Sequence, residues 1–305
     1  MSWIDVAEFG VGGWRPQSDA GERSRWYCEE LERGQVLFFP QPPFAFAAAD
    51  REFLVGLPPT TLRLHKNISY RPQEDILRGF SSDGKGTQQR MHQVLRGYSE
   101  QVTEFVRRFL SPYRERLMLD FASFRPQEEA GRDLPLHKRN DLLHVDAFPS
   151  RPTRGGRILR VFTNIHPSKE RVWLTAERFP ELAQRYARDA GLPSIASESK
   201  RGLLSRLLYL AGLKVAGRSA YDSFMLRFHD YLKENAQFQR SATKVRLAFP
   251  PLATWMVFTD GVPHAALSGQ FALEQTFIVP PEALVAPEHS PIRVLEKLCG
   301  RALAS

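Results

Sequence analysis

The order of local patterns constrains this chain most: short strand-like runs, a long helical stretch, then strand-like runs again. Between residues 115 and 175, RLMLDFASF, DLLHVDAF, RILRVFTNI and RVWLTA are apolar runs broken by Pro, Gly and Asp, the pattern of strands. Residues 176–240 carry helical spacing in AERFPELAQRYARDA, LLSRLLYLAGLKV and SAYDSFMLRFHDYLKENAQF. Strand character returns in KVRLAF, TWMVFTD, HAALSG and ALEQTFIVP. Each block alone is too small to close a sheet, so the two are expected to combine. The prediction is one domain over residues 1–305, mainly β with helical additions (α+β). Its core is an antiparallel barrel interrupted by a helical insertion at about 176–240. Two separate domains is the less favoured arrangement. Upstream, GQVLFF at 34–39 reads as a buried strand, and residues 91–110 as a long amphipathic helix. The tail from Pro291 to Ala304 reads as a short amphipathic helix.

Composition supports a packed core, with 42% hydrophobic and 25% charged residues. The two cysteines, Cys28 and Cys299, make neither a disulfide framework nor a thiolate metal site, which fits a reducing compartment. The first residues, MSWIDVAEFG, lack a basic start, and no apolar run nears the ~20 residues that span a bilayer. A cytoplasmic protein is expected. The net charge of +8, with 33 arginines among 42 basic residues, predicts an anionic partner. Arginine suits bidentate binding of carboxylate or phosphate; a GC-rich coding bias is the competing explanation. No nucleic-acid motif accompanies the charge, so nucleic acid is not expected.

His144 and Asp146 stand two apart in DLLHVDAF, and in a strand such residues share a face. A lone His-x-Asp is weak evidence. His264 follows 120 residues later, after an apolar strand and a turn rich in Asp, Gly and Pro. Two imidazoles and one carboxylate make the facial triad of non-haem Fe(II) oxygenases, which leaves three coordination positions open. His137, His166 and His229 are read as satisfied structural histidines.

Three longer segments, HVDAFPSRPTRGGRILRVFTNIHP, YDSFMLRFHDYLKENAQFQ and TWMVFTDGVPHAALSGQFALEQTF, carry a resemblance. The arrangement resembles the double-stranded β-helix (jelly-roll, cupin-like) of 2-oxoglutarate-dependent oxygenases. In detail it is similar to the bacterial Kdo 3-hydroxylases from about residue 34 onward. That resemblance implies Fe(II) held by His144, Asp146 and His264, with 2-oxoglutarate and O2 as co-substrates. It implies hydroxylation at C3 of the Kdo sugar in Kdo-lipid A, a Kdo-containing lipid A precursor, to give Ko. It also implies work at the cytoplasmic face of the inner membrane.

Many relatives in the wider superfamily anchor the far carboxylate of 2-oxoglutarate with an Arg about ten residues past the second His. Here Glu274 and Gln275 stand in that region, and no Arg follows until Arg293. The strand RILRVFTNI is the alternative source, with Arg160 preferred over Arg157, and Asn164 as a second cofactor contact. Arg125, Arg171 and Trp173 are the candidate substrate residues. Arg171 and Trp173 share a strand face, guanidinium for an acid and indole for a sugar ring. KRGLLSRLLYLAGLKVAGR reads as a basic amphipathic helix suited to an anionic membrane surface, with a helix packed on the barrel as the alternative. Three rival readings stand beside this one. They are an oxygenase with another substrate, a non-catalytic barrel binding acidic glycolipid, and a zinc hydrolase using the same ligands.

Overall fold

A computed structural model describes residues 3–6, 9–10, 13–14, 20–58, 67–80, 84–198 and 218–304. The basic amphipathic stretch read from Lys200 onward lies outside the described residues, apart from Arg218.

In chain order the first strands are β1 (Ile4–Asp5), β2 (Phe9–Gly10), β3 (Gly13–Trp14), β4 (Leu37–Phe39), β5 (Ile68–Arg71) and β6 (Ile76–Arg78). β7 (Met118–Arg125), β8 (Arg157–Asn164) and β9 (Arg171–Thr175) form the middle group. β10 (Val245–Phe249), β11 (Thr254–Phe258), β12 (His264–Ser268) and β13 (Ala272–Val279) complete the set. The helices used below are α1 (Ala20–Glu32), α2 (Ala48–Val55), α3 (Lys85–Phe109), α4 (Phe179–Tyr186), α5 (Leu192–Glu198), α6 (Ala220–Glu234), α7 (Ala236–Ser241) and α8 (Pro291–Cys299).

Strands from both sequence blocks interleave in the large sheet, ordered β1-β4-β11-β8-β13-β7-β5-β6. β11 and β13 of the second block both pair antiparallel with β8 of the first. A smaller sheet, β10-β9-β12, mixes the blocks in the same way. Helices α4 to α7 stand between β9 and β10.

The layers follow from side-chain alternation. Leu159 and Val161 on β8 face one way and join Phe39, Phe258 and Phe277 under α1 and α3. α3 presents Val94, Leu95, Tyr98, Val102, Phe105 and Phe109 at helical spacing, and Phe105 meets Phe39 edge-on at 5.7 Å. Phe162 on the other face of β8 meets the small sheet, where Trp173, Leu247 and Phe249 pack against Phe38, Trp255 and Val257. Phe249 stacks on Trp255 at 3.8 Å between ring centroids. A third cluster lays Phe179, Leu182, Phe224 and Phe228 of the helices over Ala265 of β12 and over Leu143 and Val145. Covered on both faces, β8 is buried at every position except half-buried Arg160, which accounts for its near-continuous apolar run. Each fully buried large apolar side chain contributes about 1.5–3 kcal/mol relative to exposure.

Three expectations need correction. DLLHVDAF is not a strand: His144 makes an isolated bridge to His264, and its neighbours are extended or bent. The helix expected over 91–110 begins earlier, at Lys85. The tail helix ends at Cys299, where Gly300 adopts the left-handed conformation that stops a helix.

Candidate metal centre

Residues 140–146 hold the first two site residues, and elements on two sides fix this segment. On the β12 side His144 and His264 exchange both backbone hydrogen bonds (3.1 and 2.9 Å), and Ala266 N donates to Asn140 O at 2.8 Å. On the helical side Gln239 of α7 brackets Leu143, accepting from its N–H at 3.0 Å and donating to its carbonyl at 2.8 Å. His229 Nδ1 of α6 meets Val145 O at 2.8 Å. Asp146 N donates to Thr259 O at 2.8 Å, tying the segment to the end of β11.

His144, Asp146 and His264 converge here. Asp146 Oδ1 lies 3.7 Å from His144 Nε2, and Asp146 Oδ2 lies 3.9 Å from His264 Nε2. Each ring presents its other nitrogen to a backbone carbonyl: His144 Nδ1 to Leu142 O at 2.7 Å, His264 Nδ1 to Val262 O at 2.9 Å. A carbonyl only accepts, so Nδ1 carries the proton and Nε2 keeps its lone pair for a metal. Burial, followed by the nearby His264 and His229, pulls His144 well below its ordinary value. Burial also lowers His264. Burial alone would raise Asp146, but Arg160, His264 and His144 together hold its carboxyl well below the usual carboxylate range. Neutral imidazoles and an ionised carboxylate are the ligating forms. Asp146 Oδ2 is buried without a hydrogen-bond partner, which a cation would satisfy. These residues fit a divalent metal.

His229 lies closer to this centre than its expected structural role required. Its ring meets His144 edge-on at 4.9 Å, and one ligand atom each from His144, Asp146 and His229 falls within 4.8 Å of the others. Two donor sets thus share His144 and Asp146. His264 Nε2 faces Asp146 Oδ2 and its strand is bridged directly to His144, so His264 and His229 each offer a third donor. His229 Nδ1 meets Val145 O, the same kind of carbonyl contact that His144 and His264 make. His137 pairs at the surface with Glu234, and His166 Nδ1 accepts from Ser168 N and Lys169 N, both as read from the sequence.

From Asp146 a file of alternating charges runs inward. Arg160 Nε lies 3.2 Å from Asp146 Oδ2, an ion pair without hydrogen-bond geometry. Arg160 Nη1 lies 3.1 Å from Glu274 Oε1, and Glu274 Oε2 takes Arg125 Nη2 at 2.6 Å and Nε at 2.7 Å. Burial would raise Glu274, yet Arg125 and Arg160 hold it below its ordinary value. Glu129 continues the file, 3.1 Å from Arg171 Nη2 and 3.3 Å from Arg132.

Arg171 is buried, and its Nη1 also donates to Gly269 O at 2.9 Å. Gly269 has φ +127, and a Cβ there would fall 2.6 Å from Arg171 Cγ, so glycine is needed for this approach. Trp173 is a buried ring stacked on His264 at 5.0 Å, with Nε1 unpartnered among the described residues. Arg157, the alternative to Arg160, is held by Asp260 at 2.8 Å and lies over the Phe258 ring.

Asn164 is a correction. Its amide donates to Lys169 O and Phe249 O, and its Oδ1 accepts from His166 N, so the group is occupied in closing the turn after β8. It also stands four residues from Arg160, about 13 Å along the strand. Gln239 and Glu274 are the supporting residues that sequence reasoning missed. YDSFMLRFHDYLKENAQFQ contains Gln239 and His229 both, and is the one available signal for them.

The fold and donor set match those of the non-haem Fe(II), 2-oxoglutarate-dependent dioxygenases. A family profile described as 3-deoxy-D-manno-oct-2-ulosonic acid (Kdo) hydroxylase matches residues 14–302. The chain belongs to the Kdo hydroxylase family. Among solved structures it is similar to the Kdo hydroxylase KdoO, a non-haem Fe(II) dioxygenase, in complex with α-ketoglutarate (2-oxoglutarate) and Fe(III). Identity there is 36%, over 99% of this chain and 97% of that one, with a TM-score of 0.83. KdoO with cobalt(II) gives 36% identity over 100% and 98% at a TM-score of 0.84, and KdoO with succinate and Fe(III) gives the same identity and coverage at 0.83. A search of curated protein sequences finds no match.

Proposed function

We propose that this protein hydroxylates C3 of the Kdo sugar on a Kdo-containing lipid A precursor, giving Ko, in a reaction dependent on Fe(II), 2-oxoglutarate and O2. The convergence of His144, Asp146 and His264 carries the reading, supported by family membership across the chain. The interleaved strands support a double-stranded β-helix core. We read the whole chain as one oxygenase domain with its helical insertion at 176–240.

When bound, iron with 2-oxoglutarate and O2 supplies the oxidation that inserts one oxygen atom and yields succinate and carbon dioxide. His144, Asp146 and His264 would hold the metal, and their hydrogen-bonded Nδ1 atoms keep both rings aimed. Arg160 and Arg125 supply cationic contacts for carboxylates entering beside it. Trp173 keeps the His264 ring in place and walls the site against water. Arg171 acts with Glu129, whose Oε1 also lies 3.9 Å from Arg125 Nη1. Glu129, Glu274 and Asp146 face Arg125, Arg132, Arg160 and Arg171, leaving one positive charge in this file, suited to an acidic substrate.

Peripheral attachment to the anionic inner face of the bacterial inner membrane, and hence a cytoplasmic location, is part of the same proposal. It rests on the +8 charge and the leucine- and arginine-rich stretch from Lys200. Among the described residues no helix is long and apolar enough to cross a membrane.

The test incubates Fe(II)-loaded protein with 2-oxoglutarate, O2 and Kdo-lipid A, and follows succinate and acceptor mass. A gain of one oxygen on Kdo is expected. Succinate without that gain transfers the reading to another acceptor, and no succinate removes the oxygenase class.

A further inference from the structure

We infer that Glu274 is a positioning residue that makes Arg125 and Arg160 into a paired carboxylate-binding site beside the metal centre, an inference that rests on the oxygenase reading above. β13 lies between β7 and β8, and Glu274 stands opposite Ser123 on one neighbour and Phe162 on the other. Arg125 and Arg160 are each two residues along from those partners, in opposite diagonal directions, opposite Ala272 and Thr276. Diagonal neighbours on one sheet face stand about 7–8 Å apart, within reach of long side chains.

The carboxylate divides its oxygens accordingly. Oε1 serves Arg160 and accepts from the Thr276 hydroxyl at 3.1 Å, while Oε2 serves Arg125. Glu274 is 3% exposed, so this division is set by protein groups. Two guanidiniums on one buried face repel each other, and a carboxylate between them fixes both. The trio then keeps one net positive charge. Arg160 Nε is ion-paired with Asp146 Oδ2 at 3.2 Å but makes no hydrogen bond among the described residues, so the Arg160 end holds unused donor capacity next to the metal ligand. One incoming carboxylate fits that charge and that capacity. Two sources share this chemistry: the far carboxylate of the keto acid and the carboxylate of the sugar acid.

The experiment uses the full chain loaded with cobalt(II), which allows binding to be read by calorimetry without turnover. Wild type, Glu274→Gln and Glu274→Asp are titrated with 2-oxoglutarate, with 2-oxopentanoate (equal length, no far carboxylate) and, in the presence of 2-oxoglutarate, with free Kdo. Glu274→Gln is expected to weaken one carboxylate ligand about tenfold or more, from the loss of ordered charge-assisted hydrogen bonds. Weaker 2-oxoglutarate with 2-oxopentanoate unchanged assigns the site to the keto acid, and weaker Kdo alone assigns it to the sugar. Glu274→Asp keeps the charge and should show a smaller loss of the same pattern, which serves if the Gln variant does not fold. Unchanged affinities, or equal weakening of 2-oxopentanoate, overturn the role of Glu274 and leave the oxygenase reading standing. Failure of the wild type to bind 2-oxoglutarate overturns both.

Discussion

The two faces of β8 carry opposite solutions to burial. Toward α1 and α3, Leu159 and Val161 enter an apolar cluster that needs only shape and area. Toward the small sheet, the same strand places Arg160 against Asp146 and Glu274, with Phe162 beside Trp173. One face gives cohesion, and the other holds charges whose mutual pairing is the site. Buried ions are weak contributors to net stability, whereas breaking one pair is costly, so the inner face is tuned for geometry. Changes on the two faces should therefore separate stability from binding.

The largest effect expected is on the inner face. Asp146→Ala should reduce keto-acid turnover to background, well beyond the roughly 10–100-fold cost of losing a residue that only supports a ligand. Succinate assays and metal content measured together check this, and stoichiometric tight metal in the variant would remove Asp146 from the ligand set. On the outer face, Phe105→Ala should cost about 3–5 kcal/mol of unfolding free energy in denaturant melts. Cobalt(II) affinity should not change, and a parallel loss would mean that the faces are not separable. Asn164→Ala should cost about 1–3 kcal/mol through the buried groups it leaves unpaired, with 2-oxoglutarate affinity intact. A selective loss of keto-acid binding would restore it as a cofactor contact. Gln239→Ala should weaken metal affinity about tenfold, the low end for supporting groups, because Leu143 loses both bonds that hold the ligand segment.

The smallest effect concerns acid. Burial would raise Glu129, but Arg171, Arg125, Asn140 and Arg132 outweigh it, leaving its folded-state value below the ordinary glutamate value of 4.5. Its contribution is thus complete above the unfolded value and is lost as pH falls through the lower folded value. Glu129→Gln should flatten the stability profile below about pH 4.5 while leaving its shape above that pH unchanged. An unaltered acid limb would exclude the linkage.

The legible parts of the sequence were those with local periodicity. β8, β9, β11 and β13 alternate or run apolar because both their faces are covered, and α3 shows its stripe. The candidate metal residues were picked out by type and spacing, and the fold brings them together, although His144 lies on a single bridge. Arg160 was picked out because apolar neighbours flank a lone cation. What stayed hidden depends on partners far along the chain. Gln239 reaches Leu143 across 96 residues, and Arg125 reaches Glu274 across 149. Glu274 registered only as an arginine missing from its expected region, since nothing nearby reveals which cations it holds. Asn164 misled because a short polar side chain after a strand fits either a ligand contact or a turn, and only the positions of His166, Lys169 and Phe249 decide between them.

The single backbone rung between His144 and His264 also bears on assembly. Both rings hang from residues whose peptide groups are already locked together, so their separation is set before any ion arrives. Loading would then require little reordering, and the ion would act as a rivet joining the 140–146 segment to β12. Amide exchange at these two positions should slow on metal addition, making them a native gauge of how firmly the 140–146 segment is fastened to β12.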